Sequence, residues 1–260
     1  MKTELMVITP SQAKTWLEKN HINRDLSDKT VNLYAREMLG GRWHTTHQGI
    51  ALYKNGALAD GQHRLHAIIK ANIDIPMLVT TGLDEKSVIS IDEMRARTIY
   101  DILKMGGYDI TAKEVQTLRM AYEIDKVSAE EILLLAQPVL DSLRFTSSCF
   151  SKNSKGANAS LRACFLLAHH YGEDADRLVE FSEMFYSGVV KNEKDMAVIR
   201  IRDYLISSTL SRQGNRLRQH DFSKAQFALK KFLEYKAIGS VRTVENLPFP
   251  KLDPKPILNK

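Results

Sequence analysis

The sequence LADGQHRLHAII, residues 58–69, decides the predicted fold. It follows an apolar run at residues 49–53 and an Asn55-Gly56 dipeptide, which is typical of a turn. Its second half repeats apolar residues at helical spacing. The stretch therefore predicts a strand that turns into an amphipathic helix, with the polar residues 60–64 at the turn.

The residue types at this turn suit an anion. Asp60 is predicted to be the N-cap of the helix, and Gly61 permits a sharp turn. The first-turn amides and the helix dipole then favour a negative charge, to which Arg64 adds a planar fork of donors. His63 can exchange a proton near neutral pH. The plain alternative is that Asp60 only caps the helix while His63 and Arg64 are solvated.

The DGQHR residues resemble the signature of the ParB/sulfiredoxin-like family in its DGQHR variant, including poorly characterised phage-borne members. The resemblance covers roughly residues 20–105. Besides residues 58–69, the matching pieces are Asn23-Arg24, Val31, YAREMLGGRW at 34–43, Ile91-Asp92, Arg97-Thr98 and residues 101–103. It implies a nucleotide-binding fold without specifying one reaction.

The resemblance also implies roles for single residues. Gly61, Gln62, His63 and Arg64 would hold the phosphates of ATP or CTP, with Mg²⁺ as the expected ion. His63 would be a general acid/base, and Asp60 would position a metal or water. Hydrolysis stays open.

A second candidate pair lies after the turn. By the same resemblance Asp92 would contact a ribose or a metal-bound water, and Arg97 a phosphate. The alternative is an ion pair between Asp92 and a nearby arginine that only tethers the next helix.

Two departures from better-understood relatives narrow the activity. ParB carries paired arginines in its loop, whereas Arg64 stands alone here. Sulfiredoxin needs a cysteine near its loop, but the two cysteines of this chain are Cys149 and Cys164. The repair activity of sulfiredoxin is therefore not expected. No dense carboxylate cluster is visible, which makes a nuclease a weaker hypothesis.

Composition predicts a protein of a reducing compartment. Two cysteines fit neither a disulfide framework nor a zinc site. No apolar run reaches the ~18 residues of a membrane span, and no secretion signal is visible at the start. We expect a cytoplasmic protein without a membrane partner, in the host cytoplasm if a phage encodes it.

Basic residues concentrate late in the chain. Residues 200–236 hold nine Lys/Arg and three acids, a difference equal to the net charge of +6. Such a local excess attracts polyanions, so DNA is an expected partner. The candidate contacts are Arg212, Arg216, Arg218, Lys230 and Lys231. The alternative is a solvated helix face.

The predicted fold class is α+β, with a small mixed sheet in a ParB/sulfiredoxin-like domain at residues 1–107. An all-helical domain follows at 108–240, then a Pro-rich extended tail at 241–260. Capping patterns predict helices at 111–125, 128–142, 158–170, 174–186, 195–211 and 223–237. The Ser-, Asn- and Lys-rich residues 145–158 predict a loop, and residues 89–94 a short strand.

These features lead to one main hypothesis and one alternative from another class. The main one is a phage-type protein that binds a nucleoside triphosphate at the DGQHR loop and also binds DNA. Hydrolysis of the nucleotide and formation of a homodimer are both left open. The alternative is a non-enzymatic DNA-binding or host-interacting protein. In the loop before the motif, His47 rather than His44 is expected to line the pocket.

Overall fold

The computed structural model describes residues 1–20, 23, 25–85, 97–150, 156–190, 192–208 and 215–258, with only the backbone of Ser208 and residues 215–217. It forms two compact units. The first comprises Met1–Thr98, Asp125–Glu130 and Lys255–Lys260, and the second comprises Ile99–Ile124 and Glu131–Pro254.

A four-stranded mixed sheet lies in the first unit, in the order β1-β4-β2-β3. The strands are β1 (Lys2–Ile8), β2 (Ile50–Tyr53), β3 (Leu58–Asp60) and β4 (Ile75–Leu83). Strand β4 pairs antiparallel with β1 and parallel with β2, while β2 and β3 form a hairpin. The predicted small mixed sheet is therefore confirmed.

Three helices share a core with this sheet. They are α1 (Pro10–Leu17), α2 (Asp28–Leu39) and α3 (Gln62–Ala71), and α3 packs on both others. Side chains from strand and helix meet in this core, including the fully buried Ile8, Leu65, Ile68 and Val79. Thr9 and Ser27 cap α1 and α2, because their hydroxyl oxygens accept N–H groups of the first turn.

The remaining described elements are helical, as predicted for the chain after the sheet. They are α4 (Ile99–Met105), α5 (Ala112–Ala121), α6 (Ala129–Ala136), α7 (Leu140–Cys149), α8 (Ala159–His170), α9 (Ala175–Ser187), α10 (Met196–Ser208), α11 (Asn215–Leu233) and α12 (Lys255–Leu258). Short 3₁₀ turns lie at Gln137–Val139 and Glu193–Asp195. No helix within the described ranges is both long and apolar enough to cross a membrane.

Helix α8 is the centre of the second unit. It packs against α5, α7, α9 and α11, and every residue from Ser160 to Ala168 is buried. A helix that is buried all round is expected at the middle of a bundle. The core residues Phe165, Phe181 and Phe185 are at most 1 % exposed.

Several predicted boundaries were wrong for physical reasons. Residues 145–149 belong to α7 rather than to a loop. The Thr146 hydroxyl donates to the Ser142 carbonyl one helical turn earlier, so it is satisfied within the helix and does not compete for the backbone amides. The helix predicted at 128–142 is interrupted where Pro138 lacks an N–H. Helix α11 begins before residue 223, and the tail contains α12, with Pro256 in its first turn, where no N–H is needed. The strand predicted at 89–94 lies outside the described residues.

Candidate functional site

Gly61, not Asp60, is the N-cap of α3. Gly61 has φ +108° and the cap makes no side-chain hydrogen bond, so the predicted cap at Asp60 was wrong. Asp60 ends β3, and its Oδ1 accepts the Gly61 N–H at 2.6 Å. A Cβ at residue 61 would lie 2.6 Å from Cδ1 of Ile50, so close strand-to-helix packing also requires glycine.

Arg64 is mostly buried beside the turn. Its Nη1 donates to the Gly49 carbonyl at 3.1 Å and lies 3.5 Å from Oδ2 of Asp60. The Arg64 side chain is 13 % exposed and that of Asp60 is 42 % exposed. The turn therefore already holds one anion, the carboxylate of Asp60, between the Gly61 amide and the guanidinium.

The two middle residues of the motif bind other segments of the first unit. Oε1 of Gln62, a residue 6 % exposed, accepts from Nδ2 of Asn20 at 3.1 Å. Nε2 of His63 accepts the N–H of Ser27, the N-cap of α2, at 3.0 Å. Nε2 is thus the unprotonated ring nitrogen in this arrangement. Both side chains therefore connect α3 to other segments of the first unit.

A cavity of about 250 Å³ lies beside Arg64. Of the five DGQHR residues, Arg64 is the one that lines this cavity. Helix α2 contributes Leu33, Tyr34 and Glu37. The loop after α2 contributes Arg42, Trp43, His44, Thr46 and Gln48, and Ser128 completes the wall. His44 rather than the predicted His47 lines it.

The wall combines an ion pair with two aromatic rings. Nε of Arg42 lies 3.2 Å from Oε1 of Glu37, and these side chains are only 12 % and 10 % exposed. Nη2 of Arg42 also donates to the carbonyl of Leu258 at 3.4 Å. Tyr34 and Trp43 meet edge to face, with centroids 5.4 Å apart. The cavity thus offers guanidinium groups beside aromatic surface.

Residues 125–130 bring Ser128 to the cavity by binding α2. Lys29 pairs with Asp125, and Nη2 of Arg36 donates to the carbonyl of Lys126 at 3.1 Å. At the rim, Nε2 of His44 lies 2.8 Å from a carboxylate oxygen of Glu130. A segment distant in sequence therefore forms part of the wall.

The other predicted site residues do not join this cavity in the described structure. Arg97 is exposed and is not one of the wall residues. Asp92 lies outside the described residues. Among the side chains that are described, no three His, Cys, Asp or Glu gather into a metal site.

The predicted DNA contacts differ in their surroundings. Arg218 is exposed on α11. Lys230 pairs with Glu173 at 2.8 Å, and Lys231 pairs with Glu234 at 2.9 Å. Arg212 and the side chain of Arg216 lie outside the described structure.

Neither Arg42 nor Trp43 was identified as a wall residue from the sequence. Trp43 does pack against the core, and it also lines the cavity. A usable signal was present, because an arginine and a tryptophan directly follow the Gly40-Gly41 stop of α2. Ser128 carried no such signal, since its position depends on long-range packing.

Comparison with known proteins adds no relative. No family model, no curated protein and no solved structure matches this chain. The resemblance of the DGQHR segment therefore stays a prediction, and the cavity beside Arg64 is the feature from which a function can be proposed.

Proposed function

We propose that the first unit binds a nucleoside triphosphate, ATP or CTP, in the cavity beside Arg64. The observation that carries this proposal is a wall that joins Arg64 of the DGQHR turn to Arg42, Tyr34 and Trp43. Guanidinium groups donate hydrogen bonds to oxygen atoms of a nucleotide, and aromatic rings stack on nucleobases. Hydrogen-bond donors and a stacking surface for one nucleotide thus lie in one place.

We propose binding without assigning hydrolysis. The two candidate catalytic side chains, His63 and Asp60, both make contacts that hold the turn: His63 accepts the Ser27 amide, and Asp60 accepts the Gly61 amide. Phosphate contacts from Gly61, Gln62 and His63 remain a proposal from the resemblance alone.

A magnesium ion would have few protein ligands here. Mg²⁺ at nucleotide sites is usually held by one or two carboxylates together with the phosphates. Asp60, with a 42 % exposed carboxylate, is the donor that fits this pattern beside Arg64. The ion would supply charge neutralisation of the phosphates.

Isothermal titration with ATP and CTP, with and without Mg²⁺, tests the proposal. We expect saturable binding to the full chain that Arg64→Lys weakens, because lysine replaces the fork of donors with a single ammonium group. Lys54→Gln is the matched control, since Lys54 pairs with Asp84 on the surface of the same unit. If neither ATP nor CTP binds, the proposal is overturned.

We further propose that the basic stretch at residues 200–236 binds DNA. The exposed Arg218 and Arg200 favour this function. The ion pairs of Lys230 and Lys231 count against those two residues as phosphate contacts.

A further inference from the structure

We infer that the cavity recognises the nucleoside part of its ligand, the base and the sugar, while the phosphates extend beyond it. This inference rests on the proposed function and specifies which part of the ligand the protein reads. It makes Trp43 and Gln48 recognition residues, and it predicts that affinity depends little on the number of phosphates.

The first argument is charge. Each arginine of the wall already faces a carboxylate: Arg42 lies 3.2 Å from Glu37, and Arg64 lies 3.5 Å from Asp60. Two formal positive charges therefore meet two formal negative charges. A triphosphate with several negative charges would enter a site with no net positive charge, and desolvating it there would be unfavourable.

The second argument is the chemistry of the wall. Tyr34 and Trp43 supply aromatic surface, and aromatic side chains stack on bases. Thr46, Gln48 and Ser128 supply hydroxyl and amide groups that can bind base edges and sugar hydroxyls. A planar, hydrogen-bonding and nearly uncharged group matches this combination, and a nucleoside is such a group.

The third argument is size. Pockets that enclose a drug-sized ligand usually measure about 300–1,000 Å³. The cavity measures about 250 Å³. It is smaller than such pockets, which suits the base and sugar of a nucleotide better than a whole triphosphate.

Isothermal titration of the full chain with adenosine, cytidine, ATP, CTP and sodium tripolyphosphate tests the inference. We expect one nucleoside to bind within about tenfold of its triphosphate, a difference of ~1.4 kcal/mol, and tripolyphosphate to bind at least about a hundredfold more weakly. Binding of ATP and tripolyphosphate without adenosine or cytidine would overturn the inference and leave the proposed function standing. If nothing binds, both are overturned.

Substitutions in the wall give a second test. Trp43→Leu should weaken the nucleoside and its triphosphate by the same factor, about tenfold or more, because both lose the stacking surface. Trp16→Leu is the matched control, since Trp16 also packs on the core and does not line the cavity. Urea unfolding of both variants shows whether they fold.

Gln48→Ala keeps the test valid if Trp43→Leu does not fold. Gln48 is exposed, and its backbone N–H, which the substitution retains, donates to Thr46 at 3.2 Å. We expect this variant to change the ratio of adenosine to cytidine affinity by severalfold. Unchanged affinities in Gln48→Ala, or equal losses in Trp43→Leu and Trp16→Leu, would contradict the assignment.

Discussion

At the scale of single residues, the last three residues of the DGQHR turn contact three different parts of the first unit. Gln62 binds Asn20, His63 binds the α2 cap and Arg64 binds the Gly49 carbonyl. The bonds of Gln62 and Arg64 are partly buried, and polar groups that are buried without a partner destabilise a fold. The turn therefore organises the unit structurally, and Arg64 connects that structural role to the cavity.

Gly61→Ala should destabilise the first unit by about 2–4 kcal/mol, from its left-handed backbone and from crowding against Ile50. The new Cβ would lie 2.6 Å from Cδ1 of Ile50 and 3.3 Å from its Cα. Gly41→Ala is the control, because Gly41 has φ +66° with no heavy atom within 4 Å of its added Cβ. That control should cost only about 1–2 kcal/mol. Urea unfolding measures both, and equal losses would contradict the role of close packing at Gly61.

Asp60→Asn should tighten ATP binding by up to about fivefold, because it removes the carboxylate that faces Arg64 in a partly exposed pair. The asparagine oxygen can still accept the Gly61 N–H, so the turn should persist. Adenosine affinity should stay unchanged, and titration of both ligands measures the contrast. Weaker ATP binding in Mg²⁺ buffer would instead indicate that Asp60 holds the ion.

At the scale of elements, a buried polar network joins three helices of the second unit. Asp221 on α11 accepts from the Tyr204 hydroxyl of α10 at 3.0 Å and from Nδ2 of Asn158, the N-cap of α8, at 3.1 Å. Burial raises the pKa of the Asp221 carboxyl, although both hydrogen bonds, Lys224 and His220 lower it. Burial and the Asp221 carboxylate raise the pKa of Tyr204 to about 12.

The raised pKa of Asp221 predicts the sign of a pH effect. Its contribution to stability is fully present below the unfolded pKa of ~3.9 and is lost as pH rises through the folded pKa. The free energy of unfolding of the wild type should therefore fall relative to that of Asp221→Asn as the pH rises from 4 to 7. Urea unfolding across this range measures it.

Asp203→Asn is the control for that series, because Asp203 is a 64 % exposed carboxylate on α10. The difference in unfolding free energy between the wild type and Asp203→Asn is the baseline for the Asp221→Asn series. A difference for Asp221→Asn that rises with pH would mean that the hydrogen bonds outweigh burial.

At the scale of the whole molecule, the predicted DNA contacts separate into two groups. Arg212→Gln, Arg216→Gln and Arg218→Gln together should flatten the plot of log affinity against log salt by up to about 0.9 per lost phosphate contact. Lys230→Gln with Lys231→Gln should leave the slope nearly unchanged, because both lysines are already paired with acids. Fluorescence anisotropy with a labelled duplex measures the slopes, and the opposite ranking would refute this assignment.

The sequence predicted local features of the molecule better than its site. Helix starts at Thr9, Ser27 and Thr111 were predictable because a capping side chain binds amides within its own first turn. Thr111 and Glu114 form a capping box at the start of α5. The cavity was not predictable in the same way, because Ser128 reaches it through contacts with α2 that leave no local pattern. The Asp60 cap was wrong because a left-handed glycine moved the start of α3 by one residue.

The measurement that tests the central claim most directly is the NMR response of the two tryptophan indole N–H groups to ATP. The chain has two tryptophans, Trp16 and Trp43, and Trp43 is the one that lines the cavity. Binding beside Arg64 predicts a saturable shift of the Trp43 indole signal while that of Trp16 stays in place. Two unchanged signals at saturating ATP, or a shift of Trp16 alone, would contradict a nucleotide site in this cavity.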